Sequence, residues 1–165
     1  MSQLNYNIDQ NAAMLGMLVN SEFKHTESMI ASEIIPVGRG VTKVVGEDGQ
    51  IQLPDVTDND FFGVAHRSQA LEGGLPNTTV DPVYPIKSLV NTLRRGSVWV
   101  YFETAFDPDS DTLYMRAVAG GAGEEPGQFR NDIDGGDAVA VTGNVVVRTT
   151  LAAAGLGAIE INKPL

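Results

Sequence analysis

The chain has 165 residues, a formal charge of −10, 18 glycines, 8 prolines and no cysteine. That length holds one core of ordinary size and is short for two, and the absence of thiols excludes disulfides and thiolate metal sites. The acidic balance argues against a nucleic-acid partner, and no apolar run approaches the ~20 residues of a membrane span. No basic region precedes the first apolar run, so no secretory signal is expected and the chain reads as a soluble protein made inside the cell. The many glycines and prolines predict short strands and frequent turns, as in an all-β fold.

Residues 1–10 are polar, with Leu4 and Tyr6 as isolated apolar anchors. An apolar cluster follows, Met14, Leu15, Met17, Leu18 and Val19, with Gly16 in its middle. It reads either as a core segment, in the form of a short helix capped by Asn11, or as an adaptable arm bound to a partner. Gly16 costs the helix about 1 kcal/mol. Residues 22–31 are polar, and His25 has no companion at a ligand spacing.

Residues 33–45 predict two short strands broken at Pro36 and at Gly38-Arg39-Gly40. Asp48-Gly49 supplies the positive φ of a hairpin turn, after which Ile51 and Leu53 resume a strand. Phe61, Phe62, Val64 and Ala65 predict a buried strand, and His66 beside it reads as structural. Residues 69–85 form the longest stretch without pattern and predict an exposed loop.

The stretch 96–105 is the centre of the chain. Val98, Val100 and Phe102 alternate with Trp99, Tyr101 and Glu103, which predicts a central strand covered on both faces with Trp99 buried. Asp107, Asp109 and Asp111 follow as a turn. A calcium loop would need glycine where Thr112 stands and a glutamate where Val118 stands. Leu113, Met115 and Ala117 alternate with Tyr114, Arg116 and Val118, predicting a strand paired antiparallel with the central one. The loop 120–127 lacks the lysine of a phosphate cradle. Three strands close the chain: 138–141 and 145–148, flanking Gly143-Asn144, and 158–161.

Nothing here supplies a nucleophile with its base. Asp132 and Asp134 stand as a carboxylate pair, but acids among glycines are usually turn formers. We therefore expect no enzyme and no cofactor. The fold expected is all-β, a compact antiparallel barrel or sandwich (jelly-roll-like), carrying an extended N-terminal arm over 1–23 ahead of a β-rich domain over 24–165.

The chain resembles the structural cement, or head decoration, proteins of tailed bacteriophages. The likeness is carried by Ala12 to Leu18, Ser28-Met29-Ile30-Ala31, Ile35-Pro36-Val37-Gly38, Phe62-Gly63-Val64-Ala65, Arg95 to Val100, and the paired-glycine and Gly155-Leu156-Gly157-Ala158 pieces, in that order along the chain. The acidic turn 107–111 departs from the family pattern. The resemblance implies a non-enzymatic virion protein on the outer capsid surface that binds the major capsid protein and cements neighbouring subunits. It also implies a homo-oligomer, a trimer by preference over a dimer, with no nucleic-acid or membrane partner. Within that expectation the capsid-binding residues are Leu4, Tyr6, Met14, Leu15, Met17, Leu18, Val19 and Phe23. The alternative is a carbohydrate- or calcium-binding β-module for host adhesion, with Trp99 and Tyr101 as a stacking platform and Asp107, Asp109 and Asp111 as a metal loop.

Overall fold

The computed structural model describes residues 13–20, 24–57, 60–67 and 82–162. Leu4, Tyr6 and Phe23 lie outside them, as does most of the loop 69–85. The described residues contain no α-helix. They form twelve strands: β1 His25–Ala31, β2 Ile35–Pro36, β3 Gly40–Lys43, β4 Gln50–Gln52, β5 Phe61–Ala65, β6 Val83–Tyr84, β7 Leu89–Phe102, β8 Tyr114–Arg116, β9 Phe129–Arg130, β10 Ala138–Ala140, β11 Val145–Val147 and β12 Gly155–Asn162. A 3-10 turn at Asp134–Gly136 precedes β10.

β1, β4, β3, β5 and β7 pair in a closed ring, a five-stranded barrel in which β1 and β4 run parallel and the other neighbours antiparallel. The 14-residue β7 outlasts this barrel. Its first half, up to Arg95, pairs with β1 and β5. From Arg95 onward it pairs with β12, which also carries β11. Gly96, at φ 124°, stands at the hand-over, a backbone conformation that a residue with a Cβ rarely takes. On its other side the second sheet continues through β9 and β8 to β10.

Two cores follow from this plan. Met29, Ala31, Val41, Ile51, Phe62, Ala65 and Val90 cluster with Ile35, Val37 and Tyr84. The second cluster takes Phe61, Val64 and Leu93 from the barrel wall, Val98, Val100 and Phe102 from the second half of β7, and Met115, Phe129, Ile159 and Ile161 from β8, β9 and β12. β5 is buried along its whole length because alternation sends Phe61 into one core and Phe62 into the other. Phe129 meets Phe61 edge-on at 6.2 Å between centroids and Phe102 at 6.1 Å.

The structure changes three expectations and settles the partners of two further strands. β7 and β8 are not neighbours, because β9 lies between them, parallel to β7 at Phe102/Phe129 and antiparallel to β8. The slot is taken because it buries Phe129 among the aromatic rings. β10 and β11, although joined by a short turn, pair with β8 and β12 and not with each other. The apolar stretch at 13–20 is extended, with a turn at Leu15-Gly16, and is not a helix. Trp99 is half-buried, since only the Val98, Val100, Phe102 side of β7 faces the core. The hairpin at Asp48-Gly49 stands as read, with Gly49 at φ 83°.

Phe129 is fully buried and bridges both wings of the aromatic cluster. Phe129→Ala should therefore cost about 3–5 kcal/mol, read from urea unfolding followed by far-UV circular dichroism.

Candidate docking face and the ion cluster beside it

Residues 13–20 lie on β7 as a short extra strand. Leu18 bridges Val98, the Val19 amide donates to the Ser97 carbonyl at 2.9 Å, and the Trp99 amide donates to the Met17 carbonyl at 2.9 Å. The Gly16 amide also donates to the Trp99 carbonyl at 2.8 Å. Gly16 is required here. It takes φ 71°, and a Cβ on it would run into Val37, as one on Gly38 would run into Leu15. Two glycines face each other so that two backbones can approach.

This register sorts the side chains. Residues opposite each other in an antiparallel pair point to the same side. Leu18 therefore shares the core side with Val98, and it packs against the larger core cluster. Met17 and Val19 share the outer side with Trp99 and Ser97. On β12, Leu156 stands opposite Tyr101 and Glu160 opposite Ser97, and on β11 Val146 stands opposite Glu160. The outer face thus presents Met17 (40% exposed), Val19 (42%) and Val146 (49%) around the half-buried Trp99, Tyr101 and Leu156. Its acid is neutralised in place: Glu160 accepts from Arg148 at 2.6 Å. On a chain of net charge −10 this is an apolar, charge-balanced area.

Of the residues expected to contact a partner, Met14 is exposed at the near end of the same segment. Leu15 is half-buried, and its carbonyl accepts from Arg67 Nε at 3.1 Å.

The same side of the sheet becomes ionic beyond Tyr101. Glu103 continues the Trp99, Tyr101 alternation, and Arg130 and Arg116 come up beside it from β9 and β8. Arg116 Nε meets Glu103 at 2.7 Å, and Arg130 meets it at 3.2 Å. Glu124 and Asp134 close over Arg116 at 3.4 and 2.7 Å, and Asp132 holds Arg130 at 2.6 Å. The Arg116 side chain is 0% exposed and that of Glu103 4%. Burial pushes the Glu103 carboxyl upward against the opposing pull of Arg116 and Arg130. Burial also works against the Arg116 charge, but hydrogen bonds to Glu103 and Asp134 outweigh it and hold its pKa above the ordinary value. The hydrogen bond from Arg116 is the main reason that Asp134 lies below its ordinary value. The geometry favours the fully ionised cluster at neutral pH, with two guanidiniums around one carboxylate. Its effect is to tie the loops at 117–127 and 131–137 onto β7. Sequence reasoning took Asp132 and Asp134 as turn formers. The signal it passed over was an arginine inside each of two apolar strands.

The aspartate turn closes on itself. Asp111 accepts from the Asp107 amide at 2.8 Å, and Asp107 from the Asp109 amide at 3.1 Å. His66 is buried between Thr26 and the Arg67 carbonyl. No group of three or more His, Asp or Glu placed to hold a metal occurs among the described residues.

Comparison with known proteins gives two results. Residues 2–162 match the family described as Structural cement protein (E217 gp24/Pam3 gp6). A chain from a solved structure, the capsid of Myoviridae phage XM1, shares the fold at TM-score 0.68 over 100% of both chains, with 18% sequence identity. No curated protein matches the chain.

Replacing Arg116 by Met leaves the buried Glu103 carboxylate with Arg130 as its one guanidinium partner and should cost up to about 3–5 kcal/mol. The double variant Arg116→Met, Glu103→Gln should recover part of that loss in thermal melting. The low position of Asp134 adds stability that is present above the ordinary carboxylate pKa and is lost as pH falls through the depressed value. Melting temperature should accordingly drop below about pH 4 in wild type, and less steeply in Asp134→Asn.

Proposed function

This chain belongs to the structural cement protein family, and from that premise we propose how it grips the shell. As a cement protein it is a non-enzymatic component of the phage virion that stabilises the head. In our reading it sits on the outer capsid surface and spans neighbouring major capsid protein subunits. An outer position suits a charge of −10, which packaged DNA would repel.

The contact residues proposed are those of the N-terminal region, Leu4, Tyr6, Met14, Leu15, Met17, Leu18, Val19 and Phe23, with residues 1–23 acting as the arm and 24–165 as its platform. One observation carries this reading furthest. Met17 and Val19 are aligned with Trp99 and Tyr101 on a single apolar, charge-balanced face. Trp and Tyr are the residue types that most often anchor interfaces. Leu15 and Leu18 serve in this scheme by holding the segment on β7, while Met14, Met17 and Val19 are presented outward.

A cement protein acts by linkage. Binding the assembled shell and not its free subunits stabilises the shell by RT ln(1 + [L]/Kd), about 4 kcal/mol per site at a thousandfold excess. Many sites multiply the effect. The short edge strands β10 and β11 favour self-association around a symmetry axis, and a trimer is the form we propose.

Met17→Glu and Val146→Lys alter exposed positions and should melt within about 0.5 kcal/mol of wild type. Met17→Glu should weaken binding to assembled, expanded shells at least about tenfold in a co-sedimentation assay, equivalent to about 1.4 kcal/mol. Unchanged binding would remove this face from the interface. Sedimentation velocity of the free protein should give a trimer, and a monomer both free and on shells would refute the oligomer.

A further inference from the structure

A second apolar surface, separate from the docking face, lies where β1 ends and β7 begins. Ile30 stands opposite Leu89 in the antiparallel β1–β7 pair, so both point to the same, outer side of the barrel. The turn from Pro85 to Ser88 is fastened beside them. Its Lys87 amide donates to the Ala31 carbonyl at 2.7 Å, and the Ala31 amide donates to the Ser88 carbonyl at 2.9 Å. That turn presents Ile86. The β2–β6 pair covers the same end of the barrel: Ile35 and Tyr84 pack inward on its core, and alternation turns Ile34 and Val83 outward. Leu89 (65% exposed), Ile34 (59%), Ile86, Val83 and Ile30 are all exposed.

We propose that this surface is where copies of the chain meet round a symmetry axis. Size is the first support. The five side chains leave roughly 450 Å² of apolar area open, in the range where an exposed patch marks an interaction site. A standard interface buries about 800 Å² per partner, a little over half of it apolar, so the patch suffices for the apolar core of one. Beside it the Ser28 hydroxyl donates to Asn91 at 3.4 Å and begins a polar rim. Charge points the same way. Two chains of net charge −10 repel wherever their acids face each other. The charged residues of 28–36 and 83–91 are Glu33 and Lys87, one of each sign, and Glu33 is turned to the Leu53 amide at 2.8 Å. The patch can therefore meet its own copy without net repulsion. Pro36 and Pro85 lack the N–H that an added peptide strand would need, which favours side-chain contact with a folded surface.

Position is the third support. Leu93 and Val98 pack into one core although alternation alone would set them on opposite sides, so the register slip at Arg94 turns β7 over. Leu89 lies on the Leu93 side, and Trp99 on the side away from Val98. The strand from Leu89 to Trp99 spans about 30 Å at ~3.3 Å per residue. Copies joined at the Leu89 end thus keep their Trp99 faces free and well apart. The contact presupposes the homo-oligomer proposed above, and places its surface at this barrel end in preference to the edges of β10 and β11.

Sedimentation velocity of the full-length protein over a concentration series reads the contact directly. Wild type should self-associate, and Leu89→Lys should raise the dissociation constant at least tenfold with an unchanged melting temperature. Ile34→Lys should do the same from the β2–β6 side, and it decides alone if Leu89→Lys does not fold. Val146→Lys, on the edge strand β11, should assemble like wild type. A wild-type monomer at every concentration removes the oligomer and this contact with it. An oligomer that both Leu89→Lys and Ile34→Lys leave intact keeps the assembly and overturns the surface proposed for it. Leu89→Lys that assembles normally but no longer co-sediments with expanded shells makes the patch a shell contact, which also overturns the proposal.

Discussion

Everything in this molecule depends on one strand serving two sheets. The first half of β7 closes a five-stranded barrel, and its second half founds the sheet that carries β12 and β9. A strand that fills both roles must pass from one set of partners to the other without ending. Gly96 sits at that crossing with a positive φ. β5 completes the arrangement as the wall between two cores, Phe61 on one side and Phe62 on the other. Neither core is self-contained, because Phe61, Val64 and Leu93 belong to strands of the barrel and yet pack with Phe102 and Phe129.

The outer side of the second sheet divides into an apolar half and an ionic half along β7 itself. Trp99 and Tyr101 stand in the first, Glu103 in the second, at a spacing of two residues. The ionic half is dominated by two arginines whose side chains are almost wholly buried. Buried pairs of this kind add little net stability over an apolar replacement of equal volume. Their effect here is positional: Glu124, Asp132 and Asp134 lie on the two loops that flank β9, and the guanidiniums add side-chain ties to the backbone bonds that fix where those loops sit. Such fixity suits a protein that stabilises the head, because it holds the surface it presents in one shape.

The segment at 13–20 is held by backbone contacts more than by its own side chains. Gly16 and Gly38 let two chains approach closely, and Arg67 and Trp99 take up the freed carbonyls and amides. This leaves Met14, Met17 and Val19 with much of their surface exposed. A segment seated this way keeps Leu18 against the core while its backbone bonds to β7 leave these three side chains facing outward.

The amino-acid sequence by itself determined the all-β class, the turn at Asp48-Gly49, the buried strand beginning at Phe61, and the facing of Val98, Val100 and Phe102. It also carried the family, through short pieces in a fixed order. These are local properties: alternation states which side of a strand is apolar, and glycine states where φ can be positive. Tertiary structure alone decided the partners. Alternation in 113–118 reads equally well beside β7 or one strand away, and β9 took the intervening place because Phe129 is buried there between Phe61 and Phe102. The parallel pairing of β1 with β4 has no local signature. Nor has the cluster of Glu103, Arg116, Arg130 and Asp134, whose members come from three separate stretches of chain and meet only once the sheet has formed. Trp99 is half-buried for the same reason, since nothing in its own strand states whether another layer covers the outer face.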